Sequence, residues 1–232
     1  MVPLMRMDTH SAMKPHLIDG DLSDPASDGR TAIRERATRL LTGAYRQVLT
    51  ALDVAGHRVA DDPNFDDTPA RAAKAALELM RPAREIEDEL AALLGATFPA
   101  AYDQIVISKH NTCFGMCPHH LLPVVYRVSV AYLPETRVLG ISKLARIVRL
   151  LARRPVLQEE LTHELAEILH VRLGTRGSAG YVEARHLCMA ARGVEAHEAR
   201  IVTSAVRGVF RDQPATRQEF LDLVTRHEAP IL

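Results

Sequence analysis

The stretch Cys113-Phe114-Gly115-Met116-Cys117-Pro118-His119-His120 concentrates two of the chain's three cysteines and a pair of adjacent histidines. A thiolate at Cys117 and an imidazole at His120 are close enough in sequence to reach one metal ion, and Zn²⁺ favours such S and N ligands. The third cysteine lies downstream in His186-Leu187-Cys188. Cys117, His120 and Cys188 thus make three candidate ligands, with a fourth position left for water. A structural zinc site is closed by protein on all sides, so an open set reads as catalytic. Cys113 is either an alternative ligand, a redox partner of Cys117, or a small buried residue, which is how a free cysteine commonly behaves.

The elements that must hold these residues follow from the periodicity. Ile33, Ala37, Leu40, Leu41, Tyr45, Val48 and Leu52 recur at helical spacing until Gly56. A polar turn over residues 61–67 leads to Thr68-Pro69, which predicts a helix start with a capping hydroxyl and Pro at the first position. Arg71 and Lys74 share one face near that start; ordinary solvated bases and an anion site both account for them. Another helical segment covers 83–94. Residues 104–108 predict a strand leading into the Cys/His loop, and 125–133 a second strand stopped by Pro134.

Ser142 is the predicted cap of a helix with the apolar stripe Leu144, Ile147, Val148 and Leu151, and Lys143, Arg146 and Arg149 lie off that stripe. Arg153-Arg154-Pro155 breaks it. The next helix, predicted over 156–173 and ended by Gly174, carries Gln158 and Glu159 in its first turn, where a carboxylate suits the helix dipole. Residues 181–188 alternate like a strand with Val182, Ala184, His186 and Cys188 on one side, which sets His186 beside a thiolate. A strand over 201–210 and a last helix, capped by Asp212 and running through Val224, complete the chain. Helices first, then strands with a helix pair, give an α+β class.

The divisions expected are a flexible tail over 1–30, a helical region over 31–98 and a mixed domain over 99–232. The 232 residues are 47% hydrophobic and 25% charged, a soluble globular profile. A formal net charge of zero gives no general pull toward nucleic acid or membrane. No run approaches the ~20 apolar residues of a membrane span. Three cysteines suit a reducing compartment better than a disulfide framework, so a cytoplasmic location is expected.

From residue 31 to 224 the chain resembles the GTP cyclohydrolase I family. The blocks that carry the resemblance occur in order: Thr68-Pro69-Ala70-Arg71, Cys117-Pro118-His119-His120, Val130-Ala131-Tyr132-Leu133-Pro134, Gly140-Ile141-Ser142-Lys143-Leu144-Ala145-Arg146, Arg154-Pro155-Val156-Leu157-Gln158-Glu159, Ala184-Arg185-His186-Leu187-Cys188 and Ala191-Arg192-Gly193. The resemblance implies a tunnelling fold, an antiparallel sheet backed by two helices and assembled into a toroidal decamer with active sites between subunits. It implies a reaction that opens the imidazole ring of GTP, releases formate and recloses to 7,8-dihydroneopterin triphosphate. Cys117, His120 and Cys188 then match zinc ligands, and His119 and His186 match catalytic histidines. Gln158 and Glu159 match a purine-recognition pair, and Ser142 a serine at the ribose. Lys143, Arg146, Arg192, Arg71 and Lys74 match triphosphate contacts.

Two positions depart from the family pattern. Pro118 stands where Glu is usual, and Tyr126 where a Gly precedes the Val-Ala-Tyr strand. Neither is a matched ligand. Pro118 motivates the alternative of a paralogue that acts on another purine nucleotide or stops at the formamide intermediate; a non-catalytic zinc-containing homologue is the reading from outside the enzymes.

Overall fold

The structure, a computed structural model, describes residues 29–226. The tail expected over 1–30 falls outside them except for Gly29 and Arg30, which already belong to a helix.

Three helices come first: α1 (Gly29–Val54), α2 (Thr68–Leu79) and α3 (Ala83–Gly95). α1 lies along α2, and its Arg34 reaches Glu85 of α3 at 3.1 Å. Thr68 does not cap α2. It occupies the first turn, with Asp67 at the cap position, and its hydroxyl bonds back to the Asn64 carbonyl. Pro69 still sits where a missing N–H costs nothing.

The centre of the molecule is a four-stranded antiparallel sheet in the order β2 (Val106–Met116), β3 (Pro123–Leu133), β5 (Gly177–His186), β6 (Ile201–Gly208). A two-stranded ladder, β1 (Thr97–Pro99) with β4 (Arg137–Leu139), stands beside it. On β3, Val124, Tyr126, Val128, Val130 and Tyr132 all point into one buried cluster, as period-2 geometry requires. That cluster is closed by α4 (Ile141–Ala152) over β2 and α5 (Gln158–Glu167) over β5 and β6. Leu144, Ile147 and Leu151 of α4 and Leu161 and Leu165 of α5 are almost wholly excluded from water. The opposite face carries a smaller cluster in which α7 (Val209–Asp212) and α8 (Pro214–Thr225) set Phe210 edge-on to Phe220 at 5.9 Å.

Two close approaches bring the sheet's end and the α4–α5 connection together. A Cβ on Gly115 would lie 2.3 Å from the Ala152 carbonyl oxygen, so only glycine lets the end of α4 rest on β2 there. Just beyond, Met116 bridges to Pro155 and accepts from the Val156 N–H. The strand that ends in the Cys/His loop therefore runs beside the start of α5.

Several sequence expectations are corrected. β2 runs on to Met116, well past the strand predicted over 104–108. The strand predicted to reach Cys188 ends at His186, and Cys188 lies in a short helix, α6 (Leu187–Ala190), so the two side chains are not neighbours on one strand face. Ser142 does not cap α4: Gly140 holds that position, no side chain bonds there, and Ser142 is exposed. α5 begins at Gln158 and passes into a wider turn over Ile168–Arg172. β6 stops at Gly208, whose φ of 52° and closeness to the Arg176 carbonyl exclude a side chain. Gln213, rather than Asp212, precedes α8.

Candidate metal centre and active site

Between β2 and β3 the chain reverses tightly. Leu121 N–H donates to the Cys117 carbonyl and Cys117 N–H to the Leu122 carbonyl, each at 2.9 Å, while Leu121 takes a left-handed φ of 50°. Pro118 is the second residue of this turn, where neither bond needs its missing donor. The turn folds His120 back so that its Nδ1 lies 3.7 Å from Cys117 Sγ. Zn–S and Zn–N bonds at a tetrahedral centre separate S from N by about 3.5 Å, so this spacing fits shared coordination.

α6 brings Cys188 to the same point. Ligand atoms of Cys117, His120 and Cys188 all lie within 4.8 Å of one another, the two cysteines buried and the histidine exposed. Burial, together with the adjoining Cys117 thiol, pushes the Cys188 thiol above its ordinary range. Two sheltered sulfurs and an imidazole form a soft donor set that suits Zn²⁺. Cys113 is not part of this group. It is buried on β2, and burial raises its pKa to about 12 against the nearby Arg149 and Arg153.

His186 stands beside the cluster at the end of β5, half-buried. Its Nε2 lies 2.9 Å from Gln158 Oε1. The Gln158 amide nitrogen faces the carbonyls of Val182 and Ile201, at 3.2 and 3.0 Å, and the Thr203 hydroxyl. Two carbonyls can only accept, so the amide's NH₂ must point to them and its oxygen to His186. His186 Nε2 is consequently the donor, which leaves Nδ1 as the ring atom that can gain or lose a proton. Burial lowers the His186 pKa below its ordinary 6.5, with Glu159 opposing. Tyr126 packs edge-on to the same ring, centroids 6.4 Å apart at 82°. Its side chain is wholly buried and its hydroxyl has no partner among the described residues.

A cavity of 320 Å³ opens onto this group, with His119, His120, Glu159, His186 and Cys188 in its wall. Gln158 also contributes, but both ends of its amide are engaged by protein. Glu159, the next residue on α5, is turned outward by the helical step and has no hydrogen-bond or ion-pair partner among the described residues. His119 Nδ1 is 3.9 Å from Cys117 Sγ.

The structure does not bring the remaining candidates to this cavity. Ser142, Lys143 and Arg146 lie on α4, and Arg71 and Lys74 on α2, where Arg71 donates to the Asn64 carbonyl at 3.0 Å. Arg192 is exposed in the loop after α6, near enough to act on Cys188 electrostatically. Sequence reasoning missed Thr203 and the contact of Tyr126 with His186. Tyr126 stood out only as a departure from a pattern, and the pairing of Thr203 with Gln158 spans 45 residues without a local signal.

A family model described as GTP cyclohydrolase I matches residues 42–225. The protein named GTP cyclohydrolase 1 of Alkalilimnicola ehrlichii is 43% identical over 187 residues, which cover 79% of this chain and 96% of its own length. The one of Gloeobacter violaceus is 43% identical over 174 residues, covering 74% and 80%. That named GTP cyclohydrolase 1 1 of Pseudomonas aeruginosa is 40% identical over 189 residues, covering 80% and 97%.

Proposed function

This chain belongs to the GTP cyclohydrolase I family, and we propose that it is a zinc-dependent enzyme that opens the imidazole ring of GTP, releases formate and recloses the product to 7,8-dihydroneopterin triphosphate for pterin and folate synthesis. The observation that carries this reading is the convergence of Cys117, His120 and Cys188 beside His186 in one cavity.

Cys117, His120 and Cys188 would hold a Zn²⁺ ion, which would supply Lewis acidity for activating water near neutral pH. The rest falls to side chains. His186, fixed through Nε2 by Gln158, carries a proton at Nδ1 to a purine ring nitrogen as the bond at C8 opens, and a histidine's pKa near working pH suits that task. His119, at the cavity mouth, is the second proton carrier. The Glu159 carboxylate accepts from guanine N1–H and the exocyclic amine together, which discriminates against adenine. Ser142 meets the ribose, and Lys143, Arg146, Arg192, Arg71 and Lys74 meet a triphosphate of about four negative charges.

Lys143, Arg146, Arg71 and Lys74 are not in the cavity wall of their own chain, and the sheet has open edges at β2 and β6. Both facts support a homo-oligomer, a toroidal decamer in this reading, whose neighbouring subunits complete each site. No described helix is long and apolar enough to cross a membrane, and we place the enzyme in the cytoplasm, with neither nucleic acid nor membrane as partner.

Elemental analysis and formate release in Cys188→Ser test the assignment. The variant is expected to lose zinc and formate release together; full zinc occupancy would show the ligand set to be wrong.

A further inference from the structure

Arg146, Arg149 and Arg153 follow one another at i, i+3 and i+7 along α4 and its C-terminal cap, within about 60° of arc on the helix. Arg81, between α2 and α3, is tied to the end of this row because its N–H donates to the Arg153 carbonyl at 3.0 Å. The four arginines, with Leu150 and Glu89, line a groove of 370 Å³. Arg81 is engaged by Glu89 at 2.7 Å and Glu85 at 3.6 Å. Arg146, Arg149 and Arg153 have no side-chain hydrogen bond or ion pair among the described residues. Some surface arginines do find carboxylates, as Arg172 does with Glu87 and Arg207 with Glu167; what sets this row apart is that three arginines without one follow each other along a single helix face and share one groove.

Four arginines against one glutamate leave the lining with an excess of three positive charges, in a chain whose formal net charge is zero. Like charges one helical turn apart repel, so this row costs stability unless something neutralises it. Planar guanidinium forks bind phosphate in bidentate fashion, and a row of three fits successive phosphates better than an isolated one. From Arg146 to Arg153 the row covers about 10 Å of helix axis. If Arg146 holds the substrate's triphosphate, as proposed above, Arg149 and Arg153 lie beyond it and remain unused.

We propose that the groove of Arg81, Arg149 and Arg153 is a second anion site that binds a polyphosphate chain, separate from the metal cavity and adjoining the substrate's own phosphates at Arg146. Inorganic tripolyphosphate is a suitable probe, with ATP beside it to separate a bare chain from a nucleotide carrying one.

Titration calorimetry of the zinc-loaded assembly at low salt, with the catalytic site saturated by GTP in a His186→Ala background, tests this directly. Tripolyphosphate is expected to bind still, and Arg149→Gln with Arg153→Gln to weaken it about tenfold or more. ATP bound as tightly, and lost in the same variant, would assign the site to nucleotides; ATP that fails to bind would assign it to the inorganic chain. The double variant with His186 intact should keep the GTP KM and assembly size of the parent. Tripolyphosphate binding that vanishes under GTP, persists in the double variant, or is replaced by a raised GTP KM would overturn the proposal. GTP binding to the His186→Ala protein is read in the same instrument, so failure of the GTP reading is seen separately.

Discussion

Gln158 Oε1 accepts from His186 Nε2 at 2.9 Å, while the same amide's nitrogen is committed to the carbonyls of Val182 and Ile201. One side chain therefore joins α5, β5 and the exit of the loop into β6, and sets which ring nitrogen of His186 is left for chemistry. Gln158 is 2% exposed. Both ends of its amide are engaged by protein, which supports a role in holding the histidine.

Gln158→Ala should accordingly lower kcat by about ten- to a hundredfold, the usual scale for losing an orienting partner behind a metal site. The GTP KM should change little and zinc content not at all. Steady-state kinetics separates the roles: a large rise in KM with kcat intact would make Gln158 a purine reader.

Glu159 presents the opposite case, a carboxylate facing the cavity without a partner. In Glu159→Gln an amide donor meets the guanine N1–H or amine, and leaving buried donors unpaired costs about 1–3 kcal/mol each. The ratio of kcat/KM for GTP over ITP, which lacks the amine, should shrink markedly. An unchanged ratio would reduce Glu159 to a residue that merely suits a helix N-terminus.

Tyr126 fills space behind His186 with an unpartnered, buried hydroxyl. Tyr126→Phe removes an unsatisfied group and should leave stability unchanged or raise it by about 1 kcal/mol. Tyr126→Gly opens a large cavity and should cost about 3–5 kcal/mol. Denaturant unfolding checks both, and a marked loss in the Phe variant would mean that the hydroxyl has a partner after all.

Glu167 accepts from Arg207 at 2.6 Å, and that hydrogen bond holds its carboxyl below the usual value of 4.5. A depressed carboxylate pKa contributes stability above the unfolded value and loses it as pH falls through the folded one. The melting-temperature gap between the wild type and Glu167→Gln should therefore close as pH drops below about 4. A gap constant from pH 6 to pH 3 would contradict the pairing.

The sequence disclosed the parts whose physics is local. β3 was legible because Tyr126, Val128, Val130 and Tyr132 recur at period two in a β-rich run that Pro134 stops, and α4 because its stripe is regular. β2 was not, since its register shifts between Ser108 and Asn111, with His110 at a φ of 58°, and a bulge hides the period. The Cys117, His120 and Cys188 group could be proposed from residue types. The route of Cys188 into it could not, because four residues of helix after His186 leave no pattern. Neighbours on a helix point about 100° apart, so Gln158 and Glu159 had to face different ways. Which of them turned inward depended on Val182, Ile201 and Thr203, far along the chain.

On the proposed function, the Cys117, His120 and Cys188 centre opens and rebuilds the purine of GTP. Chromatography of the GTP reaction of the zinc-loaded protein tests it most directly, since it identifies every product. One formate for each GTP consumed and 7,8-dihydroneopterin triphosphate as the sole pterin are expected. GTP recovered intact, or a reaction halted at the opened formamide without formate, would contradict the proposed function.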